Sequence, residues 1–213
     1  MILLRHGQSE FNVHITATRR DPGIADPRLT EYGHTQAEQA ALALKDERIA
    51  RIVVSPYSRA LQTAEPVARA LGVPVFVHPV VRERYGYACD IGTPRTELRT
   101  RWPDHDFSTI EEVWWPDDHE PADSVIARAA AFRAEMAARP DWSDTLVVSH
   151  WGFILCMTGQ NVMNGQWVRC DPTAPAPKEP DGARAEGDCV AVVISVGCRL
   201  AGVLTRPASM QPD

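Results

Sequence analysis

His6 and His150 each follow an apolar run: Ile2-Leu3-Leu4-Arg5 precedes the first and Leu146-Val147-Val148-Ser149 the second. Short runs of this kind predict buried strands. Open parallel sheets bind their ligands beyond the carboxyl ends of their strands, which is where both histidines would stand. A third run, Ile52-Val53-Val54, ends in Ser55-Pro56-Tyr57-Ser58-Arg59 and puts Arg59 in the first turn of the next helix at the same edge. If these strands run the same way, Arg5, His6, Arg59 and His150 converge on one pocket, and helix N-termini there add backbone donors that favour an anion. Two imidazoles and two guanidinium groups with no carboxylate among them suit a phosphate cage better than a metal site. A neutral histidine is a competent nucleophile, and a covalent intermediate divides one hard displacement into two easier ones. Phosphoryl transfer would also need donors around the equatorial oxygens and a proton donor for the departing alkoxide, which could later activate water.

The elements that must position these groups alternate between strand and helix. After the first strand a polar, loop-rich stretch is expected to Arg28. Thr30 is then a plausible N-cap for a helix from Glu31 to Lys45, with Ala37, Ala40, Ala41 and Leu44 at helical spacing. Further helices are predicted from Tyr57 to Leu71, stopped by Gly72 and Pro74, from Pro121 to Arg139, and from Trp151 to Gly159. Val75 to Val77 reads as a strand. Residues 79–121 lack periodicity and suggest loops and short helices. Residues 161–189 are rich in Pro, Gly, Asp and Ala and predict a long surface loop. Val190 to Val196 and Leu200 to Leu204 read as a closing hairpin. Such alternation predicts a three-layer α/β/α fold around a mostly parallel sheet, in one domain over residues 1–213.

In these residues the chain resembles the histidine phosphatase superfamily, the phosphoglycerate mutase-like proteins. Arg5-His6-Gly7 at the end of the first strand is that family's signature. Asn12 matches its following polar residue. The stretch from Gly23 to Thr30, with Gly33, Gln36 and Ala37, is similar to its G-x-x-D-x-x-L-T-x-x-G-x-x-Q-A. Ser55 to Ala64 resembles its S-P-x-x-R-A-x-Q-T-A. A bare R-H-G tripeptide is weak, but four motifs in the right order are specific together. The resemblance implies that His6 becomes phosphohistidine. It implies that Arg5, Arg59 and His150 hold the phosphoryl oxygens with help from Asn12, and that Glu83 is the acid and base. It requires no metal and no cofactor. A carboxylate beside a phosphate dianion is pushed toward its protonated form, as that acid role demands.

Some features depart from the family's pattern. Trp151 follows His150 and Gly152 comes second, where the family has glycine at once, so Trp151 enters the candidate binding set. Arg82-Glu83-Arg84-Tyr85-Gly86 is shorter than the corresponding segment of true mutases, and the mutases' arginine pair has no match near Arg95 to Arg101. These departures favour a phosphomonoesterase acting on a small phosphorylated metabolite over a mutase, while Trp151 keeps a phosphate-binding domain as an alternative. Asp90 is the rival to Glu83 as proton donor. Gly23 is as readily a turn residue as a binding one. Trp102, Trp114 and Trp115 suit a core or a pocket wall. His14, His34, His78, His105 and His119 read as surface or loop residues.

The 213 residues suffice for a full core without staples. The net charge of -6 gives no general attraction to nucleic acid or anionic lipid, so an anionic substrate needs a local basic cluster. No apolar run is long enough to span a bilayer. Met1 to Leu4 leads straight into Arg5 with no basic leader, and a cytoplasmic protein is expected. Five scattered cysteines without a C-x-x-C pair suggest free thiols. Nothing in the sequence fixes the oligomeric state.

Overall fold

The computed structural model describes residues 1–177. Its five strands lie in the order β3-β2-β4-β1-β5. They are β1 (Ile2–Arg5), β2 (Arg51–Val54), β3 (Val75–Val77), β4 (Thr145–Ser149) and β5 (Trp167–Arg169). The pairs β1 with β4, β2 with β4 and β2 with β3 are all parallel. The register sets Arg5 beside Ser149 and Val54 beside Val148. The residues that follow these three strands, His6, Ser55 and His150, therefore emerge at one edge.

Strand side chains alternate between two cores, as the two-residue period of a strand requires. Ile2, Leu4, Ile52, Val54, Leu146 and Val148 pack on one face against α2 (Glu31–Leu44), α3 (Ser58–Leu71) and α4 (Arg95–Arg101). Leu3, Val53 and Val147 pack on the other, against α5 (Ala122–Ala137) and α6 (Trp151–Thr158). This is the expected α/β/α sandwich with a mostly parallel sheet. Thr30 caps α2 by accepting from the Gly33 amide at 3.0 Å, and Gly72, in the left-handed region at φ +64°, ends α3.

Two expectations need correction. The stretch after β1 is not a loop: α1 spans Glu10–Thr18. Val13, Ile15, Thr16 and Thr18 are β-branched and lower its helix propensity, which hid it. It is held by a capping box in which the Ser9 hydroxyl accepts from the Asn12 amide while the Asn12 side chain accepts from the Ser9 amide. The segment 161–189 is not all loop either, because β5 pairs antiparallel with β1, setting Leu3 opposite Val168. Three residues are too few to show alternation. The Val190–Leu204 hairpin lies outside the described residues.

Candidate active site

The strand edge gathers the groups that the sequence scattered. The His6 and His150 ring centroids are 5.0 Å apart. Arg5, His6, Arg59, Glu83, Asn12 and Trp151 all line one cavity of about 430 Å³. His150 is fully buried directly beside His6. Gly23 stands apart, an exposed turn residue at φ +73° whose amide donates to Asp21 Oδ1, and it is not part of the lining.

The local structure fixes which nitrogen each imidazole offers. His6 Nδ1 lies 2.7 Å from the Gly7 carbonyl, which can only accept, so Nδ1 carries the proton. Burial, then the Arg59 and Arg5 charges, hold the His6 pKa well below the ordinary histidine value. The ring is therefore neutral at pH 7 with its Nε2 lone pair available. His150 has the opposite arrangement. Its Nε2 is 2.8 Å from Ser55 Oγ, and its buried Nδ1 has no hydrogen-bond partner among the described residues. Burial and the Arg59 charge depress its pKa as well.

Each cation is anchored. Arg5 donates to the Val162 carbonyl at 2.9 Å. Arg59 donates to the Cys89 carbonyl at 2.8 Å and to Asp90 Oδ1 at 3.2 Å, and its guanidinium lies over the Tyr57 ring. Asp90 also accepts from the Gly86 and Tyr87 amides. Burial nevertheless pushes its pKa up to about 6, against the pull of Arg59. That carboxylate is engaged in holding Arg59 and a turn.

Glu83 has a different setting. Half-buried on the cavity wall, it accepts from the Arg84 amide at 2.8 Å and from the Gly152 amide at 3.0 Å, in the first turn of α6. Helix N-termini favour a carboxylate. A Cβ on Gly152 would sit 2.5 Å from Glu83 Oε1, so glycine is needed two places after His150 for the carboxylate to approach. The Trp151-Gly152 order thereby has a physical reason. Trp151 itself is buried, its indole N–H donating to Asn161 Oδ1 at 2.8 Å.

The remaining motif residues act as struts. Thr63 Oγ1 accepts from the Gly7 amide, and Gln36 Oε1 from the Gln8 amide. Gln62 Oε1 accepts from the Leu29 amide. Buried Asp26 accepts from the Ser58 amide and hydroxyl, supplying the start of α3 with the cap that Tyr57 lacks. Asn164 was missed in the sequence. Its Nδ2 donates to the His6 carbonyl at 3.1 Å and to Asn12 Oδ1 at 3.2 Å. Only its spacing from β5 could have signalled it. Asn12 Oδ1 is thus occupied, and Nδ2 is the atom left to meet an anion. The tryptophans are structural: Trp114 belongs to the core, edge-on to Tyr57, with Trp102 and Trp115 packed against that core.

A cage of two arginines and two histidines at the carboxyl edge of a parallel sheet defines the class. The chain belongs to the histidine phosphatase superfamily (branch 1), whose family model matches residues 1–170. Among its relatives is the "probable phosphoglycerate mutase GpmB" of Proteus mirabilis (strain HI4320), 33% identical over 167 residues that make up 73% of this chain and 71% of that protein. The glucosyl-3-phosphoglycerate phosphatase of Mycobacterium tuberculosis (strain ATCC 25618 / H37Rv) is 29% identical over 167 residues, 74% of this chain and 73% of that protein. A solved structure of the mycobacterial glucosyl-3-phosphoglycerate phosphatase in complex with VO3 superposes with a TM-score of 0.57 at 27% identity, covering 78% of this chain and 88% of that one. Among the described residues no helix is long and apolar enough to cross a membrane.

Proposed function

We propose that this protein is a metal-independent phosphomonoesterase that works through a phosphohistidine on His6. The observation that carries the reading is the neutral His6 ring, its Nδ1 fixed to the Gly7 carbonyl and its centroid 5.0 Å from that of His150, on a cavity that Arg5 and Arg59 also line. His6 Nε2 attacks phosphorus in line with the ester oxygen. The P–N bond forms as the P–O bond breaks, and the alkoxide takes a proton from the Glu83 carboxyl. A water then gives its proton back to Glu83 and attacks the phosphohistidine, releasing inorganic phosphate and the neutral ring. Arg5, Arg59, the Asn12 amide and His150 Nδ1–H spread the charge on the equatorial oxygens. That last role needs the Ser55 hydroxyl to donate to His150 Nε2, which sets the tautomer.

Glu83 is assigned the proton transfer rather than Asp90, since Asp90 is committed to Arg59 and two amides. Hydrolysis is favoured over mutase chemistry by the basic residues of α4. Arg95 pairs with Glu112 and Arg101 with Glu97, and neither lines the cavity. A cytoplasmic setting fits Cys89, Cys156 and Cys170, which form no disulfide among the described residues. The test is phosphate release from p-nitrophenyl phosphate in the presence and absence of EDTA, beside an assay of 3- to 2-phosphoglycerate interconversion with a bisphosphate primer. Steady, chelator-insensitive release without interconversion is expected. Activity that disappears with EDTA and returns with a divalent metal contradicts the metal-free mechanism, and primer-dependent interconversion makes the protein a mutase.

A further inference from the structure

Glu83 sits where the chain forms neither helix nor strand. Between the short turns Pro79–Val81 and Ala88–Asp90 the backbone carbonyls have no regular ladder of amides and need other partners. One side chain meets several of them. Arg128, on α5, donates from Nη1 to the Val80 carbonyl at 2.8 Å and the Arg82 carbonyl at 2.9 Å, and from Nη2 to the Glu83 carbonyl at 3.1 Å. Its Nε and Nη2 also donate to the two oxygens of Glu120, each at 2.9 Å. All five guanidinium N–H groups are thereby used, an arrangement that a lysine with three donors cannot reproduce.

Glu120 extends the hold. Its side chain is 3% exposed, and it also accepts from Arg82 Nη2 at 3.1 Å and from the Ser124 hydroxyl at 3.0 Å. Its amide donates to the Tyr85 carbonyl, and its carbonyl accepts from Arg84 Nε. The main chain is thus held on both sides of Glu83. The Arg128 guanidinium also lies over the Phe153 ring, 5.3 Å from its centroid, one residue beyond the Gly152 amide that donates to the Glu83 carboxylate. One cation therefore ties the Glu83 carbonyl to the helix that receives its carboxylate. A buried ion pair adds little stability over apolar residues of the same volume, so what this one supplies is geometry.

We infer that Arg128, locked by Glu120, is a positioning residue for proton transfer, setting the main chain of Glu83 so that its carboxyl reaches the leaving oxygen. This rests on the phosphomonoesterase reading with Glu83 as the acid. Arg128 acts through Glu83 and not on the substrate.

The experiment compares kcat/KM for phenyl phosphate and 2,4-dinitrophenyl phosphate. Phenolate leaves poorly without a proton and dinitrophenolate leaves well without one. The ratio of the two therefore reports proton donation, and any unfolded fraction of enzyme cancels from it. Glu83→Gln should shift the ratio toward the dinitrophenyl ester by about 100-fold or more. Arg128→Met should shift it about tenfold, and Arg128→Lys, which keeps the charge but fewer bonds, by less. Arg128→Met combined with Glu120→Gln, which leaves no unpaired carboxylate in case the single variant fails to fold, should match Arg128→Met. Arg133→Lys, at a second buried α5 arginine bonded to the Met157, Asp171 and Ala174 carbonyls, should leave the ratio unchanged. Arg128 variants that slow both esters equally, beside a Glu83→Gln that discriminates, overturn the positioning role and leave the phosphatase reading standing. A Glu83→Gln that does not discriminate removes Glu83 as the donor and the role of Arg128 with it. Hydrolysis of neither ester by the native enzyme overturns the phosphatase reading itself.

Discussion

The ends of β1 and β4 are built from the same parts and used differently. Each delivers a histidine, and each histidine is followed within two residues by a glycine that something approaches closely. At the first, a Cβ on Gly7 would meet the Gly33 carbonyl oxygen at 2.4 Å, so the glycine lets the first turn of α2 lie against the Arg5-His6-Gly7 turn. At the second, the group that a Cβ would strike is the Glu83 carboxylate. One glycine holds architecture and the other admits a functional group. The imidazoles divide in the same way. His6 commits Nδ1 to backbone and lines the cavity with Nε2 available, while His150 engages Nε2 with Ser55 and has no partner for Nδ1 among the described residues. Similar local design at two strand ends thus yields one ring with a nitrogen open to the cavity and one tied to Ser55 in the interior.

The largest effect should come from the attacking ring. His6→Ala is expected to lower kcat by about 10⁴-fold or more, since it removes the attacking nitrogen. His150→Ala removes a donor rather than the nucleophile and should cost about 10²- to 10³-fold; equal losses in the two variants would erase the distinction. The glycines sharpen it further. Gly152→Ala should lower kcat about 100-fold by displacing Glu83, with the melting temperature nearly unchanged because alanine suits a helix. Gly7→Ala forces backbone against backbone and should lower the melting temperature by roughly 5 °C or more. A reversal, with Gly152→Ala unfolding and Gly7→Ala merely slow, would contradict the roles given to them.

The smallest expected effect concerns Asp90, behind Arg59. Its pKa is raised to about 6 in the folded protein, so between pH about 4 and about 6 the native state holds a proton that the unfolded chain has released. Stability should therefore decline as pH rises through that window and level off above it, by at most a few kcal/mol. Asp90→Asn should flatten that part of the stability curve, measured by urea unfolding from pH 4 to 7. An unchanged slope would show that Asp90 is not the group titrating there.

Much of this was legible in the sequence, and for a common reason. Ile2–Leu4, Ile52–Val54 and Leu146–Val148 are buried on both faces, so their apolar runs stand out, and the histidines and arginine that follow them inherit a predictable edge. The capped helices α2 and α3 were equally plain. What was hidden depended on partners far away in the chain. Helix α1 looks like a loop by propensity, and its Phe11 and Ile15 acquire meaning only when Tyr87 packs against them. β5 exists because β1 offers it an edge. Asn164 matters through the His6 carbonyl, a contact across 158 residues. Of the two places the sequence allows Trp102, Trp114 and Trp115, core or pocket wall, the structure takes the core, and α1 lines the cavity instead.

The most direct test of the account is to mix the enzyme with a radiolabelled phosphate ester, quench within milliseconds, and map the protein-bound label. The label should be acid-labile and base-stable, on the peptide containing Arg5 and His6, and absent from His6→Ala. Label on another residue, or continued phosphate release by His6→Ala, would contradict it.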